Sequence, residues 1–308
     1  MLDVTKKIEL ILKRSGLSQE KLAREIGVSF PALNAWLHGR AIPRATNLAK
    51  IEELYLEYTG QKIVSVESLE KQKRELEDLR KKNRGILKTI ISRPDLYKEF
   101  LLSLTYNSNK IEGSTLSEQE TSAILFDKAV LPNKSQVEQL EVHNHEAALL
   151  YLFNTLSQGL PISEKLLLAI HGKLMNAIMP DAGLYRRHGV RITGANVPTA
   201  NYLRVPELIK KLFANYNPKP KDPVAQASSW HAKFEQIHPF SDGNGRVGRL
   251  ILTGMLLASD YPPALIKQED RPFYYAYLSR AQTKDDYSAL TEFVGKAVLA
   301  SYKLLDEK

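Results

Sequence analysis

Apolar side chains recur three and four apart along most of this chain, the spacing of one helix face. Ile8, Leu10, Ile11 and Leu12 open the first such face. Ser18 stands where a cap belongs, ahead of a helix over 19–26 with Leu22, Ala23 and Ile26 as its inner stripe. Gly27 permits a tight turn, and Ser29 is placed to cap the next helix. Pro31 falls in that helix's first turn, Leu33, Trp36 and Leu37 face inward, and Gly39 ends it. Residues 65–85 are rich in Glu, Lys and Arg, with Leu69, Leu76, Leu79 and Ile86 on a narrow seam and Glu70–Arg74 and Glu77–Lys81 spaced as ion pairs. Leu96, Phe100, Leu101 and Leu104 mark a helix over 95–110, and Ser117 with Glu120 forms a capping box for one over 117–130. Helical patterns follow at 138–152, 166–179, 206–213, 223–237, 250–257 and 290–302. Residues 191–205 depart from this: β-branched residues around Gly194, Asn196 and Pro198 read as a short hairpin. The expectation is a mostly α protein: a helix-turn-helix domain over 1–60, a helical linker over 61–94, and an all-α domain with one β-hairpin flap over 95–308.

Composition narrows the class. The 308 residues are 43% hydrophobic and 25% charged, enough for a sizeable core. There is no cysteine, which removes disulfides and thiolate metal sites and fits a reducing cytoplasm. No apolar run reaches the length that spans a bilayer, and the start lacks the layout of a signal peptide. Net charge is +8, compatible with nucleic acid, acidic proteins or nucleotide phosphates, and it selects none of them.

The chemistry concentrates in residues 238–249, His-Pro-Phe-Ser-Asp-Gly-Asn-Gly-Arg-Val-Gly-Arg. An apolar run follows, so this stretch reads as a loop feeding a buried helix. A helix start carries unpaired N–H groups and partial positive charge, a setting for phosphate. Gly243 and Gly245 let backbone approach a ligand, and Arg246 and Arg249 share one face. Asp242 is a hard oxygen donor suited to Mg2+ between phosphates, and His238 can accept a proton near neutral pH.

The string resembles the signature of the Fic family, His-x-Phe-x-Asp/Glu-Gly-Asn-Gly-Arg-x-x-Arg, at every fixed position. The resemblance implies transfer of AMP from ATP to a Ser, Thr or Tyr hydroxyl of a target protein. It implies His238 as base, Asp242 on Mg2+, and Gly243, Asn244, Gly245, Arg246 and Arg249 around the phosphates. Thr193, Gly194 and Asn196 would lie near the nucleotide on the flap. Asp270 to Leu278 resembles the helix after the signature, implying Tyr274 and Gln282 against the adenosine. Ser108 and Glu112-Gly113 resemble the family's inhibitory motif, whose glutamate pairs with the second signature arginine; carried over, Glu112 would pair with Arg249. Relatives that use other nucleotides or remove AMP remain open, as does a DNA-binding regulator whose pocket senses nucleotide.

Residues 1–60 resemble the Cro/repressor-like helix-turn-helix family through Leu-Ser-Gln-x-x-Leu-Ala, Gly-Val-Ser, Trp36, Gly39 and Pro43. The resemblance implies DNA as a partner, with Phe30, Asn34 and His38 toward bases and Gln19, Arg40 and Arg44 toward phosphates. The alternative is a helical module for protein contacts or dimerisation. The charged segment that follows reads first as a solvated helix lying on the next domain, and against that as a rigid arm or a coiled coil between two copies of a homodimer. His143 and His145 are two apart on a helix and point in different directions, a poor metal pair. His171 reads as structural.

Overall fold

The computed structural model describes residues 3–191 and 197–306. In chain order its α-helices are α1 (Val4–Ser15), α2 (Gln19–Ile26), α3 (Phe30–Leu37), α4 (Ala45–Tyr58), α5 (Val66–Lys82), α6 (Ile86–Ser92) and α7 (Pro94–Ile111). Then come α8 (Glu118–Asp127), α9 (Gln136–Ser157), α10 (Glu164–Leu174), α11 (Val205–Ala214), α12 (Pro223–Ile237), α13 (Asn244–Ala258), α14 (Arg271–Lys284) and α15 (Ser288–Asp306). The described residues contain no strand. They divide into two compact units, residues 1–64 with 269–289, and residues 65–268 with 290–308.

The first unit is built on α1–α4. Ile8, Ile11, Leu22, Leu33 and Ile51 are fully buried in its core. Ser18 caps α2 as its position predicts, accepting from the Lys21 N–H at 3.3 Å. Ser29 makes no side-chain cap to α3, so the fixed φ of Pro31 and the packing of Leu33 and Trp36 start that helix instead. The unit also holds α14. Gly60, at φ +69°, leaves the space that brings it against Ala276; a Cβ there would meet the Ala276 carbonyl oxygen at 2.7 Å. Arg280 then donates to the Gly60 and Lys62 carbonyls at 3.0 and 2.7 Å. Nothing in the helical periodicity of 269–289 announced this partner.

The second unit surrounds α9, which packs on α7, α8, α10 and α13, while α12 and α13 form a tight pair. The capping box at Ser117 and Glu120 is present. The charged helix α5 lies on this unit: Leu76 is buried, Gln72 donates to the Glu292 carbonyl at 3.0 Å, and Arg80 sits over the Tyr261 ring. Its ion pairs differ from the i,i+4 expectation, with Lys81 on Asp78 at 3.2 Å and Lys73 on Asp222 at 3.7 Å. Its apolar seam is thus used within the chain.

The hairpin expected over 191–205 is corrected. Residues 192–196 lie outside the described residues, and Tyr202–Arg204 forms a 3-10 turn that runs into α11. Side chains satisfy the backbone where a partner strand would have done so. Thr199 donates to the Val190 carbonyl at 2.8 Å, and Arg186 donates to the Ala200 carbonyl at 2.5 Å.

Candidate active site

Two helix ends meet at residues 238–244. Asp222 caps α12 and Pro223 starts it, and the helix runs unbroken to Ile237. His238 then takes φ +51°, a left-handed conformation that costs a non-glycine residue and is held here by its surroundings. Arg186, 2% exposed, donates to the His238 and His188 carbonyls at 2.7 Å each. The His238 Nδ1 lies 3.1 Å from the Glu235 carbonyl. A carbonyl only accepts, so the proton sits on Nδ1 and Nε2 keeps its lone pair. Burial, with Arg186 adding to it, pushes the His238 pKa below the ordinary imidazole value. The imidazole is therefore neutral and ready to accept a proton at physiological pH.

The loop behind it is braced from both sides. The Phe240 N–H donates to Asn244 Oδ1, and Asn244 Nδ2 donates to the Phe240 carbonyl, both at 2.9 Å. The Asn244 amide is 2% exposed and spends one N–H and one lone pair on this loop, and its backbone belongs to the start of α13. His171 accepts from the Gly183 N–H at Nδ1, so its Nε2–H donates to the Asp242 carbonyl at 3.2 Å. Its ring stacks on Phe240 at 3.7 Å, and burial lowers its pKa to about 4. His171 is a neutral brace for the loop.

Gly243 starts α13 with no side-chain cap, leaving a helix N-terminus without a capping carboxylate of its own. Asp242 is exposed, and its Oδ1 accepts from the Gly243 N–H at 2.6 Å. No group of three or more His, Cys, Asp or Glu that could hold a metal occurs among the described residues. A single exposed carboxylate beside an anion site fits Mg2+, which is held by one or two carboxylates plus substrate phosphates.

Both signature arginines are buried and paired. Arg246, 3% exposed, is bound by Glu141 of α9 at 2.5 Å and lies 3.6 Å from Asp242 Oδ2. Arg249 donates from Nε to the Ser108 hydroxyl at 3.0 Å, and from Nη2 to the Ser108 carbonyl at 2.9 Å and Glu112 Oε1 at 2.7 Å. The end of α7 thus grips this guanidinium by two residues. Glu112 also covers the first turn of α13: a Cβ on Gly245 would overlap Glu112 Oε1. The carboxylate occupies space that an incoming anion at this helix start would need. Nearby, His145 is buried against Thr105 at 3.0 Å, with its pKa lowered to about 3 by burial and by Arg249 and Arg246. His143, two residues before it, is exposed beside Glu146.

Residues 161–256 match the Fic/DOC family, and residues 8–55 match a helix-turn-helix family. The two matches lie on separate stretches of the chain, a helix-turn-helix segment and a Fic/DOC segment. It is similar to the protein adenylyltransferase Fic of Nematostella vectensis, 35% identical over 199 residues, which are 61% of this chain and 45% of that one. The protein of the same name from Culex quinquefasciatus is 35% identical over 193 residues, 61% of this chain and 38% of that one. The chain therefore spans less than half the length of these curated relatives. A solved fragment of Fic-1 from C. elegans shares the fold, with a TM-score of 0.68 at 24% identity over 98% of this chain and 96% of that one. A Fic family protein from Desulfovibrio desulfuricans G20 gives a TM-score of 0.67 at 26% identity, covering 80% of this chain and 76% of that one.

Other expected site residues fall elsewhere. Thr193, Gly194 and Asn196 lie outside the described residues. Tyr274, 1% exposed, and Gln282 stand on α14 in the unit with the N-terminal helices. On the helix-turn-helix, Asn34 Nδ2 donates to Gln19 Oε1 at 3.3 Å, and Arg40 donates to Asn34 Oδ1. Phe30, His38, Arg40 and Arg44 are exposed. The sequence pointed to Arg186 only within Gly183–Arg187, a stretch that resembles the entry to the Fic flap, and to Glu141 only within a polar helical string; Glu235 it did not single out.

Proposed function

We propose that this chain transfers AMP from ATP to a hydroxyl of a target protein and is held in an inhibited state by Glu112. The observation that carries this is a neutral His238 with Nε2 open, one loop away from an uncapped helix N-terminus flanked by two arginines. In the reaction, His238 Nε2 takes the hydroxyl proton while that oxygen bonds to the α-phosphorus. The bond from the α-phosphorus to the bridging oxygen breaks, and pyrophosphate leaves. The N–H groups at Gly243–Gly245 and the guanidinium of Arg246 stabilise charge on the phosphates. Asp242 would hold Mg2+, which supplies charge neutralisation between phosphates when bound. Arg249 would orient the γ-phosphate once Glu112 leaves it, because carboxylate and phosphate compete for the same fork of donors.

The test is labelling with radioactive ATP in cell lysate. Glu112→Gly is expected to raise labelling about 5- to 150-fold, the range of a typical coupling between sites. His238→Ala in that background is expected to remove about 10²-fold or more of it. Labelling that survives His238→Ala would sink the mechanism. Stronger labelling from CTP, GTP or UTP would transfer the proposal to that nucleotide, and loss of AMP from a pre-labelled target would indicate the reverse reaction.

A second reading has its own support. The Gln19–Asn34–Arg40 chain presents polar groups at the exposed face of α3, a layout suited to DNA. We infer that residues 1–60 bind DNA, with Phe30, His38 and Arg44 on the same face. Binding that falls with salt and is lost in Arg40→Ala and Arg44→Ala would support this.

A further inference from the structure

Gly245 and Gly248 are three apart on α13, so they lie on neighbouring faces of its first turns. Each leaves a hollow where a Cβ would be. The first is filled by Glu112 from the end of α7. The second is filled by Glu235 and His231 of α12: a Cβ on Gly248 would meet Glu235 Oε1 at 2.5 Å and the His231 ring at 2.8 Å. Arg249 follows directly. Two carboxyl groups from different helices thus flank the start of α13, and the charge of Arg249 acts on both. They differ in setting. Glu112 is one-third exposed and hydrogen-bonded to Arg249, whereas Glu235 is 8% exposed and its Oε1 has no hydrogen-bond partner among the described residues.

We propose that Glu235 is a positioning residue for the second signature arginine, and that its ionisation and the Glu112 latch exclude one another. The proposal deepens the inhibited-transferase reading and rests on it for its biological meaning. A buried carboxyl near one guanidinium ionises only if that cation is not already neutralised. With Glu112 engaged, burial and the Glu112 charge hold the Glu235 pKa up at about 8, against the pull of Arg249. With Glu112 withdrawn, the repulsive partner is gone and Arg249 is uncompensated, so Glu235 releases its proton more readily. It then keeps a negative charge beside Arg249 while the guanidinium receives phosphate. Coupling is reciprocal, so ionising Glu235 must loosen Glu112 by the same factor.

Burial is the largest influence on Glu235, and among charged groups Arg249 and then Glu112 act on it. His231, on the same helix, is held neutral with its pKa lowered to about 3 by burial and then by Arg249. His238 is also lowered by burial. The helix α11, packed on α12, buries Val205, Ile209 and Leu212, while Lys210 and Lys211 are exposed.

The experiment follows the carboxyl carbon of Glu235 by NMR in full-length protein labelled with 13C-glutamate, assigned with Glu235→Gln. Amide exchange at Glu112 and Gly113 is read across the same pH range. In the natural sequence the carbon is expected to titrate near pH 8, with exchange at the latch, divided by its hydroxide-catalysed intrinsic rate at each pH, rising about tenfold through that midpoint. In Glu112→Gly the midpoint is expected to fall by at least about one pH unit. In Glu235→Gln the latch exchange is expected to lose that rise while Arg249→Lys keeps a shifted one. An unchanged midpoint in Glu112→Gly, or an identical exchange profile in Glu235→Gln, would overturn the proposal. Neither readout needs AMP transfer, so absent labelling would sink the transferase reading alone. Should Glu235→Gln unfold, the midpoint comparison between the natural chain and Glu112→Gly still decides.

Discussion

At the scale of single residues, the site depends on atoms that are missing as much as on those present. Gly245 has no Cβ, and Glu112 fills the space. Gly245→Ala would push the carboxylate away, since it is the free end of a flexible side chain. The expected cost is about 1–3 kcal/mol, the usual range for overpacking, read as a lowered thermal midpoint. Yet the new methyl stands at the helix start that phosphate would approach in the proposed reaction. Labelling in Gly245→Ala should therefore stay well below that of Glu112→Gly. Equal labelling in the two would mean that the phosphates enter by another route. Ser108→Ala probes the other half of the grip. It deletes the Nε contact at 3.0 Å and keeps the carbonyl contact at 2.9 Å, so Arg249 loses one of its anchors on α7. A loss of about 1 kcal/mol in stability is expected, with labelling raised less than by Glu112→Gly. Labelling unaffected by Ser108→Ala would leave Glu112 as the whole of the restraint.

Between elements, Arg186 has the widest reach. One guanidinium ties the carbonyls of His188, Ala200 and His238, so it fixes the base loop to the segment after residues 192–196. Arg186→Lys keeps the charge and loses the fork. A shift of the reacting groups by about 1 Å costs on the order of 10²-fold in rate, so kcat in a Glu112→Gly background should fall by about that factor. KM for ATP should change little, because the proposed phosphate site on α13 is untouched; a rise in KM with kcat preserved would argue against this role. The same contrast explains what was legible from the sequence. The signature was readable because its members are neighbours in the chain, and α12 was readable to the residue because Asp222-Pro223 starts it and ends are set locally. The Glu112–Arg249 pair was reachable through resemblance. Arg186 was reachable only as part of the flap-entry resemblance at Gly183–Arg187, and the contacts of Glu141 and Glu235 were not, because what makes them functional is a partner on another helix or a packed wall. The described ends of the expected hairpin differ because the Val190 and Ala200 carbonyls are satisfied by Thr199 and Arg186 side chains rather than by a strand.

For the whole molecule, the buried titratable groups around α9, α12 and α13 set opposing pH limits. His145 and His231 are lowered to about 3 and His171 to about 4, all from 6.5. Below pH 6.5 the unfolded chain takes up protons that the folded chain refuses, so these three groups lose stability as pH falls toward about 4. Glu235 runs the other way. Its pKa is raised from 4.5 to about 8, so the folded chain holds a proton that the unfolded chain has released. Its contribution is complete below pH 4.5 and is lost as pH rises through about 8. Each group contributes a slope of up to about 1.4 kcal/mol per pH unit. Three slopes oppose one on the acid side, giving at most about 3 kcal/mol per unit, and one acts alone on the alkaline side. Stability from these groups should therefore peak near pH 6.5. Urea unfolding from pH 5 to 9 reads the curve directly. Glu235→Gln should flatten the alkaline limb and steepen the acid limb from about 3 to about 4 kcal/mol per unit, because the slope that opposed the three histidines is gone. An alkaline limb of the same slope in both proteins would show that Glu235 is already ionised in the fold, with Arg249 rather than burial controlling it.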